Sequence, residues 1–183
     1  MEYKIIQCPI NVETKKSKKT KEPKQPKEKK TRVIVNTKRW NNNVGENELN
    51  TDSQLNVLKT IDCNISEHKF LLRQIQDKID GYKRQDLYKN RYSIEEFVDI
   101  PYVIQKLIQC ELICYYCEKP MYILYQTSRD PMQWTLERID NKKGHNKGNV
   151  EISCLSCNVS RRTMYHEKYR FTKQMVCTKL NHD

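Results

Sequence analysis

Two pairs of cysteines constrain this chain more than anything else in it. Cys114-Tyr115-Tyr116-Cys117 is answered, after 36 intervening residues, by Cys154-Leu155-Ser156-Cys157. A CxxC knuckle folds its two sulfurs toward one point, and two knuckles close a tetrahedral shell of four thiolates, which suits zinc. A closed shell leaves no position for substrate, so the metal is expected to be structural. The alternative, four free cysteines buried as small apolar side chains, leaves the repeated spacing unexplained. Cys8, Cys63, Cys110 and Cys177 show no such pairing and read as ordinary thiols. The start, Met1-Glu2-Tyr3-Lys4, lacks the apolar core of a secretory signal. Reduced thiols and metal ligands are therefore expected in place of disulfides.

The rest of the chain divides by composition. A hydrophobic share of 37% over 183 residues fits one ordinary domain with solvated flanks. The net charge of +11 is uneven: residues 15–32 carry ten basic and two acidic side chains, which leaves only +3 elsewhere. That run holds Pro23 and Pro26 and no large apolar side chain, so nothing offsets the entropy of ordering it, and disorder is expected. It reads as a phosphate-binding arm, a nuclear-import signal or a plain solvated tail. No stretch approaches the roughly 18 apolar residues that span a bilayer. The expectation is a soluble intracellular protein with no membrane partner, its oligomeric state open.

Val33 to Val35 suggest a short strand, soon interrupted by Asn41, Asn42, Asn43 and Gly45 in a linker running to about residue 50. Ile65, Leu72, Ile75 and Ile79 recur at helical spacing, with Asn64 and Glu67 as a capping box and Gly81 as a C-cap. A second helical stretch is expected from Ser93, and another after Pro101 with Val103, Ile104, Leu107 and Ile108 as its stripe. These helices should buttress the cysteine-bearing region. Residues 133–139 and 150–153 are rich in strand formers, and the polar link from Asp140 to Asn149, with two glycines, reads as an exposed loop bearing functional side chains. A helix from Leu155 to Thr163 would set Asn158 one turn from Arg161 and Arg162. The expected fold is α+β: a basic, disordered tail and linker (1–50), a helical segment (51–110), a small zinc-stapled ββα module (111–165) and a C-terminal extension (166–183).

Leu136-Glu137-Arg138-Ile139-Asp140-Asn141, Gly144-His145, Gly148-Asn149-Val150 and Cys154-Leu155-Ser156-Cys157-Asn158 together resemble the HNH, or His-Me finger, endonuclease family. The resemblance covers roughly residues 111–165. The run Tyr82-Lys83-Arg84-Gln85-Asp86 leading into it further resembles HNH proteins encoded by large DNA viruses of eukaryotes, so a host nucleus or viral replication site becomes a plausible setting. The resemblance implies a metal-dependent endonuclease or nickase acting on DNA. In that family the ββα unit holds one divalent ion, magnesium or manganese, over the scissile phosphate while a histidine activates water. The chemistry is sensible, because an anionic phosphodiester needs positive counter-charge and a deprotonated nucleophile.

The sequence departs from the family at the decisive place. The acidic-His pair falls on Glu137 and Arg138, and the terminal His falls on Asn158. Arginine cannot serve as a base. His145, with an unperturbed pKa near 6.5, is the preferred substitute, with Asp140 as the second candidate. Glu137, Asn149, Asn158 and Asp140 are, by the same carry-over, candidates to hold or orient the catalytic metal. Arg138, Arg161 and Arg162 are candidate phosphate clamps, because the guanidinium fork makes bidentate contacts. The rival expectation is a catalytically inactive zinc-binding protein that binds nucleic acid. A zinc-ribbon adaptor is a third, but it gives the 140–149 loop no purpose.

Overall fold

The computed structural model describes residues 50–61, 66–125 and 127–175. The basic run, the strand expected at 33–35, the capping box at Asn64, and Cys8, Cys63 and Cys177 lie outside them. Among the described residues there are five helices and one two-stranded antiparallel sheet. They run α1 (Thr51–Lys59), α2 (Ser66–Tyr88), α3 (Ile100–Gln109), β1 (Trp134–Arg138), β2 (Val150–Cys154), α4 (Leu155–Arg161) and α5 (His166–Gln174). No helix among them is long and apolar enough to cross a membrane.

Helix α1 starts on Asn50, whose side chain accepts from the Asp52 N–H at 3.1 Å. It is anchored by a buried amide: Gln54 Oε1 accepts from the N–H groups of Ile123 and Leu124 at 2.8 and 3.0 Å. Helix α2 buries Leu71, Ile75 and Ile79 at intervals of four. The same stripe continues through Tyr82 to Asp86, so the helix passes through Gly81 in place of ending there, correcting the expected C-cap. Docking holds those last turns, because the Leu136 N–H donates to Tyr82 Oη at 3.0 Å. The helix ends instead on Asn90, in the left-handed region at φ 54°. Asn90 N–H donates to the Leu87 carbonyl at 3.2 Å and Arg91 N–H to the Asp86 carbonyl at 2.9 Å, a Schellman closure.

The helical stretch expected from Ser93 is a single turn. Ser93 Oγ accepts from the Glu96 N–H at 3.4 Å, but Phe97 then bridges to Asn146 and ends the turn. Helix α3 begins afterwards on Asp99, which caps the Tyr102 N–H at 2.9 Å, and buries Val103 and Leu107.

The strands pair from Trp134↔Cys154 to Arg138↔Val150. Trp134, Leu136, Ile152 and Cys154 join the core shared with α1, α2 and α3. Glu137 stands opposite Glu151, a like-charge pair that would be unfavourable bare. Each has its own cation: Arg161 for Glu137, and Lys106 at 3.0 Å for Glu151. Helix α4 ends two residues before the expected Thr163, where Arg162 turns into the left-handed region. The C-terminal extension holds a further helix, α5, fastened by Tyr169, whose ring meets Tyr116 edge-on at 4.9 Å.

Candidate functional site

The two knuckles meet as the spacing requires. The ligand atoms of Cys114, Cys117, Cys154 and Cys157 all lie within 4.8 Å of one another, and Cys117 Sγ is 3.9 Å from Cys154 Sγ. Four sulfurs about 2.3 Å from a tetrahedral centre stand roughly 3.8 Å apart, so this cluster can hold a metal ion such as zinc. Backbone N–H groups point at the sulfurs, Cys154 N–H to Cys114 Sγ at 3.3 Å and Cys157 N–H to Cys154 Sγ at 3.4 Å. Hydrogen bonding from Cys154 draws the Cys114 thiol down to about 5, whereas burial pushes Cys157 up to about 12. One thiolate is thus readily formed, and the protons of Cys154 and Cys157 leave only against a cation. Cys154 ends β2 and caps α4, so the cluster fixes the corner between strand and helix.

The second feature is a groove of about 300 Å³ over β1 and α4, whose walls include Gln85, Glu137, Arg138, His145, Asn158 and Arg162. His145 does not sit on an exposed loop. It is 2% exposed, and with Gly144 and Asn146 it is drawn inward while Lys142, Lys143 and Lys147 stay in solvent. The cause lies 59 residues away. Asp86, fully buried on α2, accepts the His145 backbone N–H at 2.6 Å and faces Nδ1 at 2.9 and 3.0 Å. A carboxylate only accepts, so the ring proton lies on Nδ1 and Nε2 keeps its lone pair. The Tyr82 ring covers the imidazole at 4.4 Å. Burial lowers the His145 pKa below its usual 6.5, against the opposing pull of Asp86, so the ring is neutral at neutral pH. Gly144 permits the approach: a Cβ there would stand 2.4 Å from the Arg91 carbonyl oxygen and 2.9 Å from Asp86 Oδ2.

The other candidates separate. Glu137 lines the groove with Oε1 held by Arg161, while Oε2 has no hydrogen-bond partner among the described residues. Burial pushes its carboxyl up to about 7, against the Arg161 guanidinium. Asn158 donates to Thr135 Oγ1 at 3.1 Å and to the Leu136 carbonyl at 3.3 Å, which leaves its Oδ1 over. Arg138, half-buried, and Arg162, exposed, both line the groove.

Three candidates lie outside the groove lining. Asp140 is exposed outside the groove lining, its Oδ1 accepting from the Lys142 N–H at 2.8 Å, so it shapes its own turn. Asn149 has its whole amide engaged: Oδ1 accepts from Asp140 N–H at 2.9 Å, and Nδ2 donates to the Asp140 and Gly144 carbonyls at 3.2 and 2.9 Å. It braces the loop. Arg161 is a buried tie, bonded to Glu137, to the Met164 and Arg138 carbonyls at 2.7 and 2.6 Å, and to Asn141 Oδ1 at 3.1 Å. It has no free fork for a phosphate.

Sequence reasoning assigned no role to Asp86, although an acid on the buried stripe of a helix is itself a signal, because such a group needs a partner. Compared with family models, curated proteins and solved structures, the chain matches none.

Proposed function

We propose that this chain is a metal-dependent HNH-type endonuclease or nickase that hydrolyses DNA phosphodiester bonds, with zinc on its four cysteines as a structural staple. The buried His145–Asp86 pair, opening onto a groove walled by Arg138 and Arg162, carries the reading. A histidine held neutral and in one tautomer, with Nε2 left over, has the chemistry of a general base. A solvent-facing loop histidine needs no buried carboxylate.

Magnesium or manganese, when bound, supplies positive charge to the developing oxyanions of the phosphate. The donors that fit such a cation are Glu137 Oε2 and Asn158 Oδ1, hard oxygens on the groove wall without a protein partner among the described residues. Arg138 and Arg162 bind and orient the phosphodiester by charge-assisted hydrogen bonds. His145 Nε2 takes the proton of the attacking water, and Asp86 stabilises the imidazolium that results.

A second reading, nucleic-acid binding without cleavage, draws support from the one carboxylate at the groove being already shared with Arg161. Conversion of supercoiled plasmid by zinc-loaded protein separates the two. With magnesium or manganese the protein should nick or linearise the plasmid, and leaving out the added cation or His145→Ala should abolish this with zinc content intact. Metal-independent DNA binding with no cleavage on varied DNAs would establish the second reading instead.

A further inference from the structure

We propose that Tyr88 is a stacking platform for an unpaired base next to the groove, so that the preferred substrate is DNA with single-stranded character rather than uninterrupted duplex. The inference rests on the nuclease reading only in taking the groove as the seat of a DNA phosphate.

Tyr88 is 88% exposed, the highest value among the large exposed hydrophobic side chains. Several other tyrosines have ring partners: Tyr82 lies on His145, Tyr92 meets Phe97, and Tyr115, Tyr116 and Tyr169 meet edge-on in a row. Tyr88 has no such ring contact among the described residues. Its backbone is nonetheless fixed. It closes the final turn of α2, where the Schellman bonds tie Asn90 and Arg91 back to Leu87 and Asp86, and where Asp86 is bound to His145. On so firm a base only the side-chain torsions of the ring remain to be ordered when it takes a partner.

Placement and charge identify that partner. Gln85, one turn earlier, lines the groove, and residues three apart are neighbours on a helix surface, so Tyr88 lies one turn beyond the lining. From residue 82 to 92 the basic side chains are Lys83, Arg84, Lys89 and Arg91, and the one acid, Asp86, is buried against His145. An aromatic ring among cations matches a nucleic-acid strand, base on ring and phosphates on the charges. In an intact duplex each base is already covered on both faces. Only an unpaired, flipped or terminal base offers a free face, as at a gap, a flap or a single strand.

The test measures binding of the full-length, zinc-loaded protein without magnesium or manganese, by fluorescence anisotropy, to a gapped oligonucleotide duplex and to the same sequence fully paired. Tyr88→Ala should weaken gapped-DNA binding roughly tenfold and leave paired-DNA binding unchanged, while Tyr88→Phe, which keeps the ring, should bind as the parent does. Equal loss on both DNAs, a loss in Tyr88→Phe matching that in Tyr88→Ala, or no loss at all would overturn the proposal, the second pointing to a hydroxyl–phosphate contact. Gapped DNA bound through Tyr88 but never cut with magnesium or manganese would sink the nuclease reading and leave this one standing. Cutting of paired DNA as efficient as that of gapped DNA, with Tyr88→Ala binding gapped DNA as the parent does, would do the reverse.

Discussion

His145 depends on where one proton sits, and Asp86 decides that. Asp86→Asn keeps the shape but removes the obligate acceptor, so cleavage should fall by about 100-fold or more in a quantitative nicking assay. Asp86 also raises the His145 pKa, so its loss should carry the acid limb of the pH–rate profile to lower pH, a change that mere loosening would not cause. In the intact protein the folded pKa lies below the unfolded value of about 6.5. Cleavage should therefore hold steady down to pH 6.5 and fall only below it. The stability linked to this histidine follows the same sign. It is full above 6.5 and declines as pH drops toward the folded pKa, because the unfolded chain takes the proton first; thermal melts across that range test it. Gly144→Ala should cost about 1–3 kcal/mol in denaturant unfolding and part His145 from Asp86, given the 2.4 Å approach to the Arg91 carbonyl.

At the scale of elements, the sheet and α4 are bound by the Glu137–Arg161 pair, whose side chains are 5% and 1% exposed. Arg161→Ala would strand a buried carboxylate and should destabilise by about 3–5 kcal/mol, read from chemical unfolding with zinc present. Arg162→Ala, at the exposed end of the same helix, should weaken DNA binding and leave stability near the parent's. The neighbours differ because one faces the strand and the other the groove, which the sequence could not reveal. Helical spacing places Asn158, Arg161 and Arg162 together but does not say what covers them. The strands were legible because alternating apolar residues mark a pleated face, and the cysteines because ligand geometry imposes a spacing. The end of α2 was not, because Gly81 looks like a stop until Tyr82 and Asp86 are known to dock beyond it. Helix α5 went unseen since a single buried ring, Tyr169, holds it down.

Across the whole molecule, charge and chemistry lie apart in sequence. Ten of the 34 lysines and arginines fall within residues 15–32, whereas His145, Asn158 and Arg162 sit more than a hundred residues later. Counterion release makes salt dependence a measure of the phosphates neutralised. Deleting residues 15–32 should therefore flatten the slope of log affinity against log salt in anisotropy titrations, without removing metal-dependent nicking. An unchanged slope would make the run a passive tail. The site was only half legible at this scale. Its strand and loop residues fall in one short segment, but the partner that positions His145 comes from a helix 59 residues earlier, beyond any local pattern. On the proposed reading, that long bridge also makes cutting conditional on the loop having joined the helix. During synthesis the helix emerges with a carboxylate and no imidazole, and the loop emerges later with an imidazole that is not yet restrained. If His145 is the base, the last tie to close arms it, and a nascent or misassembled copy would leave DNA alone.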